Sequence, residues 1–249
     1  LFVGFVLVAL AVDFFAMEKQ GAHKVTMKEA TVWSLIWVAV SFVFVGWLWW
    51  YLGGLDGNPV ADAKALEFVT GYLVEKALAV DNIFVFLLVF TYFAVPTEYQ
   101  KRVLMFGILG ALVLRAIMIL VGAWLIAQFH WILYFFGAFL LITGIKMMWF
   151  AEHKPDLAAN PLVRWFRNHY PITPTLEGER FFVMKAGVRY ATPLLLVLVL
   201  VEVTDVIFAV DSIPAIFAVP LDPFVVLTSN VFAVLGLRAL YFMLADLAD

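Results

Sequence analysis

VEVTDVIFAVDSIPAIFA, residues 201–218, sets Glu202, Asp205, Asp211 and a proline at 214 inside a run otherwise apolar enough for lipid. An aspartate at the centre of a membrane helix costs about 2.5–3.5 kcal/mol on insertion scales, and each large aliphatic residue returns only about 0.3–0.6. Three acids therefore nearly cancel the apolar gain of the segment. It needs partners inside the protein. A second stretch, GYLVEKALAVDNIFVF at 71–86, carries the same pattern: aligning Ala79-Val80-Asp81-Asn82 with Ala209-Val210-Asp211-Ser212 brings Glu75 onto Asp205. In each copy two acids stand six residues apart and a small polar side chain follows the second. Leu114-Arg115-Ala116 and Leu237-Arg238-Ala239 match in the helices that come next, so the repeating unit is one acid-bearing helix plus one arginine-bearing helix.

Outward from these two stretches, the chain reads as membrane throughout. It is 65% hydrophobic and 14% charged over 249 residues, too apolar for a soluble domain. Runs long enough to cross a bilayer fall at about 1–17, 30–52, 68–93, 103–127, 131–150, 191–219 and 223–247. Helices are required, because each backbone amide must be satisfied within its own segment, and no barrel-like alternation is present. The connections after spans one, three and five carry Lys19, Lys24, Lys28, Lys101, Arg102, Lys154, Arg164, Arg167, Arg180, Lys185 and Arg189, against Lys64 alone in the others. This asymmetry predicts those loops in the cytoplasm and the N-terminus in the periplasm. Three crossings separate spans three and six, so the acid helices run in opposite directions, as in transporters built from inverted repeats with a site at the midplane.

The expected fold is an all-α, polytopic transmembrane helix bundle with an inverted repeat, about seven helices in this chain. It forms a single transmembrane domain over 1–249, with 151–190 as a cytoplasmic loop holding one short surface helix near Pro161 to His169. The chain opens on Leu1 within an apolar run and stops at Asp249. Both ends are expected to be clipped, with a partner for FGAFLLITGIKMM, residues 136–148, beyond residue 249.

Buried acids either pair with cations of the protein or bind a cation from outside. Asp13, Glu75, Asp81, Glu202, Asp205 and Asp211 outnumber Lys76, Arg115 and Arg238 within the spans, so pairing alone leaves carboxylates over. On a regular helix Asp205 and Asp211 diverge by about 120° and are separated by about 9 Å, whereas Glu202 and Asp205 share a face. Pro214 removes one amide donor and frees the carbonyl of Val210, which predicts a break or kink beside Asp211. Asn82, Ser212, Thr204 and the triplet Thr228-Ser229-Asn230 offer neutral oxygens, or serve as hydrogen bonds between helices. The four histidines lie in or beside loops and there is no cysteine, so a hard cation such as Mn²⁺, Mg²⁺ or Ca²⁺ suits the donors better than Cu or Zn. Methionines read as packing, Asp13 as a proton carrier or an interfacial residue, and the glycines of GILGALVLRA and FGAFLLITG as close helix contacts. No P-loop, GxSxG or HExxH pattern and no nucleophile–base pair is present, and the net charge of −3 argues against nucleic acid. An enzyme is not expected.

At these residues the chain resembles a known family. GYLVEKALAVDNIFVF, VEVTDVIFAVDSIPAIFA and PFVVLTSNVFAVLGLRALYF, together with AHKVTMKEATVWSLIWV, resemble the signature segments of the TerC family of integral membrane proteins, most closely its alkali-inducible branch. The resemblance covers essentially the whole chain. It implies a transporter of the LysE type that exports divalent cations, chiefly Mn²⁺, from the cytoplasm across the bacterial inner membrane. The transported Mn²⁺ would be the only metal, with no tightly bound cofactor. The family's acidic positions carry over onto Glu75, Asp81, Glu202, Asp205 and Asp211, with Asn82 and Ser212 at the flanking positions. Exchange for protons is expected, since a carboxylate cluster that loses a divalent ion must regain positive charge. The other reading is a metal-sensing scaffold or insertion-assisting protein whose acids are structural.

Overall fold

A computed structural model describes residues 2–18, 26–129, 131–150, 161–217 and 222–248. Threonine and glutamate in T-x-x-E spacing open the second helix: Thr26 Oγ1 accepts from the amide of Glu29 at 3.4 Å, half of a capping box. Asp56 and Gly57 then turn the chain, with Gly57 at φ 87°, a conformation that favours glycine. In order the helices are α1 (Phe2–Glu18), α2 (Met27–Leu55), α3 (Asn58–Tyr92), α4 (Thr97–Gln128), α5 (Ile132–Phe150), α6 (Pro161–His169), α7 (Pro193–Phe217), α8 (Pro223–Leu235) and α9 (Leu237–Ala248). A hairpin of β1 (Phe182–Lys185) and β2 (Val188–Ala191) precedes α7. The bundle is all-α, and the expected spans correspond to α1 to α5, α7 and the α8–α9 pair.

Helices α2, α4, α7 up to Pro214, and 223–246 are long and apolar enough to cross a membrane by length and composition. Helix α3 is longer than any of these, at 35 residues, and its apolar stretch is interrupted by Glu75, Lys76 and Asp81. Large apolar side chains face outward along the helices, as they do where lipid is the solvent. Exposed aromatics crowd one end: Trp47, Trp49, Trp50 and Tyr51 lie in the last turns of α2, Trp124 in the last turns of α4, and Phe129 and Trp131 just beyond it. Such rings suit a headgroup boundary.

The inverted repeat is visible in the packing. Along α4 and α7, Gly107 meets Val201, Gly110 meets Glu202, Arg115 meets Asp205 and Gly122 meets Phe217, so the two helices run parallel. Along α3 and α8, Lys64 meets Asp222, Glu75 meets Asn230 and Lys76 meets Ala233, again in parallel. Since α3 folds back on α4 through the short turn at 93–96, α3 and α7 point in opposite directions. The repeat alignment pairs α3 with α7 and α4 with α8–α9, so these two contacts are the same contact made twice.

Glycines at 107, 110 and 122 let α7 approach α4 closely; those at 137 and 144 in α5 have nothing within 4 Å of a Cβ position. A Cβ at 110 would overlap the Glu202 carboxylate. Gly110→Ala is expected to stay within about 1 kcal/mol of wild type, because the alanine's helix propensity of about 1 kcal/mol offsets moving a flexible side-chain end. Gly110→Val should cost about 1–3 kcal/mol by overpacking. Thermal unfolding in detergent checks both, and a valine variant as stable as wild type would mean that α4 and α7 are not in contact at Glu202.

Three features depart from the sequence reading. Helix α7 continues through Pro214 to Phe217, so the break expected beside Asp211 does not form. The proline removes a single backbone bond, its own to the carbonyl of Val210, and Ile213 and Phe217 around it pack with Ile119 and Val226. The interruption falls instead in the seventh span, at Gly236, between α8 and α9. Within 151–190 the expected short helix forms as α6, Pro161–His169, and the β1–β2 hairpin after it is the departure. The hairpin's Lys185↔Val188 pairing is closed by Ala186 and Gly187, both at positive φ, the geometry of a two-residue hairpin loop.

Candidate functional site

Glu75 and Asn82 are seven residues apart on α3, as are Asp205 and Ser212 on α7. Seven residues is 20° short of two full turns, so each pair shares one helix face. All four side chains are buried, and the faces meet at the centre of the bundle. From α4, Arg115 inserts between the two acids. Its Nε donates to Asp205 Oδ2 at 3.1 Å and its Nη2 to Asp205 Oδ1 at 2.9 Å, a two-pronged pairing, while Nη1 forms an ion pair with Glu75 Oε1. From α8, Asn230 Nδ2 donates to Glu75 Oε2 at 3.0 Å and Asn230 Oδ1 accepts from Arg115 Nη1 at 3.5 Å. Asn82 Nδ2 donates to Asp205 Oδ1 at 3.4 Å. Four helices thus contribute to one network whose five members are each no more than 3% exposed.

Two carboxylates face one guanidinium here, which leaves the network one positive charge short if both acids are ionised. Two buried oxygens on the same faces, Asn82 Oδ1 and Ser212 Oγ, have no hydrogen-bond partner among the described residues. A buried polar oxygen without a partner is uncommon and calls for a reason. Asn82 also reaches Asp205 through its Nδ2, whereas Ser212 lies two turns beyond Asp205 on α7, about 10 Å along the axis.

The other sequence candidates are placed differently. Asp81, next to Asn82 but about 100° around α3, is exposed and outside the network. Glu202 is half-buried against Gly110 of α4, and its Oε2 is unpartnered among the described residues. The side chains of Asp13 and Asp211 lie outside the described residues. Among the described residues no group of three or more acidic, histidine or cysteine side chains converges as a metal cage. Of the neutral candidates, Asn230 joins the network, whereas Thr228 and Ser229 bond to backbone carbonyls of their own helix. Lys76, considered as a partner for the acids, donates to the carbonyl of Ala233 at 3.1 Å.

Sequence reasoning aligned the acids at six-residue spacing, Glu75 with Asp81 and Asp205 with Asp211. The buried face is read instead by the seven-residue spacing, acid to amide and acid to hydroxyl. That signal was present in the chain, since a spacing of seven keeps a helix face and a spacing of six leaves it.

Residues 60–249 match the family described as integral membrane protein TerC family. The chain belongs to the TerC family. It is similar to TerC relatives named membrane-bound redox modulator Alx, with 59% identity over 244 residues to that of Escherichia coli K12, covering 98% of this chain and 76% of the relative. The counterpart in Photorhabdus laumondii is 54% identical over 248 residues, covering 100% of this chain and 78% of the relative. A membrane protein of Myxococcus xanthus with no assigned function is 48% identical over 248 residues, covering 100% and 75%. No solved structure matches the chain.

Proposed function

We propose that this TerC protein exports a divalent cation, Mn²⁺ first among them, across the bacterial inner membrane with its N-terminus in the periplasm. One observation carries the reading: a fully buried network of two carboxylates and one guanidinium, short of one positive charge when both acids are ionised, with the Oδ1 of its member Asn82 unpartnered among the described residues. Glu75, Asp205 and Asn82 would supply oxygens to the ion, an all-oxygen set suited to a hard cation. In the arrangement observed, Arg115 bridges the acids; an arriving ion replaces the guanidinium, and its return after release resets the site. Asp81, Glu202 and Asp211 would then be carboxylates along the path to and from that site. Protons enter as the ion leaves, because the emptied acids must regain positive charge.

Reconstituted into proteoliposomes, the full-length protein should move Mn²⁺ above the level of empty liposomes, and collapsing the pH gradient should slow it. Unchanged flux after the collapse would remove the proton exchange and leave the export. Absence of flux would remove export itself.

A second reading is favoured by the same ion pairs. Arg115 already satisfies oxygens of both Glu75 and Asp205, as expected if the acids lock a scaffold. In that case Glu75→Gln should harm folding or partner binding and leave Mn²⁺ binding unaltered in protein that does fold.

A further inference from the structure

Consecutive residues of α3 grip α8 at two heights. Glu75 takes the amide of Asn230, and Lys76 reaches past it to the carbonyl of Ala233, two residues before the end of α8. The α8–α9 span is interrupted at Gly236, whose N–H donates to the carbonyl of Val234, and the last carbonyls of a helix are short of their usual i+4 donors at such an interruption. They also form the negative end of the helix dipole, where a cation is favoured. An ammonium group sits at that position.

The break is peculiar to one half of the protein. Under the repeat alignment Gly236 stands opposite Val113, and α4 passes through Val113 as unbroken helix. Likewise Lys76 stands opposite Val206, so of the two equivalent contacts the α3–α8 contact has both the broken helix and the lysine, and the α4–α7 contact has neither. Gly236 is fitted to the arrangement: a Cβ there would come within 3.0 Å of Lys76 Nζ and 3.1 Å of Trp37 Cβ. Beyond the break, α9 is held by Tyr241, whose hydroxyl donates to Gln100 at the start of α4 at 2.8 Å.

We infer that Lys76 is a tethered counter-ion for the carbonyl end of α8, a latch that ties the Glu75–Arg115–Asn230 network to the α8–α9 break. Any shift of α8 that alters the Asn230–Glu75 bond also alters the Lys76–Ala233 bond, because both arise from adjacent residues of one rigid helix. Lys76 is thus a positioning residue. The inference goes beyond the export reading and does not depend on it.

Hydrogen exchange of the full-length protein in detergent or nanodiscs tests the latch without reference to transport. In Lys76→Met, amides from Leu237 to Tyr241 should exchange about five- to thirtyfold faster than in wild type, while α2 and α4 keep their wild-type protection. Lys76→Arg, which keeps the cation, should restore the slow exchange. Lys76→Gln, which keeps a donor without charge, should resemble Lys76→Met and serves if the methionine variant does not fold. Exchange at Leu237–Tyr241 that is unchanged in a folded Lys76→Met or Lys76→Gln variant overturns the latch, as does faster exchange spread evenly over the bundle. Where flux is measurable, the same variants should change its maximal rate more than its half-saturating ion concentration. A change in the latter alone would place Lys76 in ion binding and also overturn the latch.

Discussion

Arg115→Met is expected to destabilise the protein by about 3–5 kcal/mol, the largest loss among single substitutions in the bundle. Removing one partner of a buried ion pair leaves the other as an uncompensated charge in low dielectric. Here two carboxylates are stranded together, since Glu75 and Asp205 both lean on the same guanidinium. Methionine keeps much of the length of arginine, so the effect reports charge more than lost volume. Removing one of the stranded acids should restore part of the loss: Arg115→Met with Glu75→Gln should be more stable than Arg115→Met alone, with a coupling of about 0.5–3 kcal/mol in the cycle. Thermal unfolding of the purified variants measures this. An Arg115→Met protein as stable as wild type would show that the guanidinium does not hold these acids.

Asp205→Asn should have the largest effect on transport. If the buried network is the ion site, the variant loses a charged ligand with direct partners, worth about 2–5 kcal/mol of ion affinity, or roughly 30-fold to several thousand-fold. Stability should change less than in Arg115→Met, because asparagine still accepts from Arg115 and one carboxylate remains to balance it. Asp81→Asn is the informative comparison, since Asp81 is exposed and outside the network. Its effect on flux should be smaller. Equal losses in the two variants would move the binding step outward to the Asp81 flank of α3; a near-wild-type Asp205→Asn would favour the scaffold reading of the acids.

The sequence by itself determined the class of protein, the helical spans and the inverted repeat. Those follow from local rules: about 20 apolar residues span a bilayer, backbone amides in lipid must be satisfied within a helix, and an odd number of crossings between two copies reverses one of them. It also determined which side chains carry cost in the membrane, because Glu75, Arg115 and Asp205 are expensive wherever they point. The choice among them was made by tertiary structure. Arg115 meets acids 40 residues before it and 90 residues after it in the chain, and which carboxylate it takes depends on how four helices rotate about their axes. Position along a span does not encode that rotation until the helices pack. The break at Gly236 is of the same kind. A glycine in an apolar run signals either close approach or interruption, and the outcome was decided by Lys76 and Trp37, which come from two other helices to fill the space a side chain would have taken.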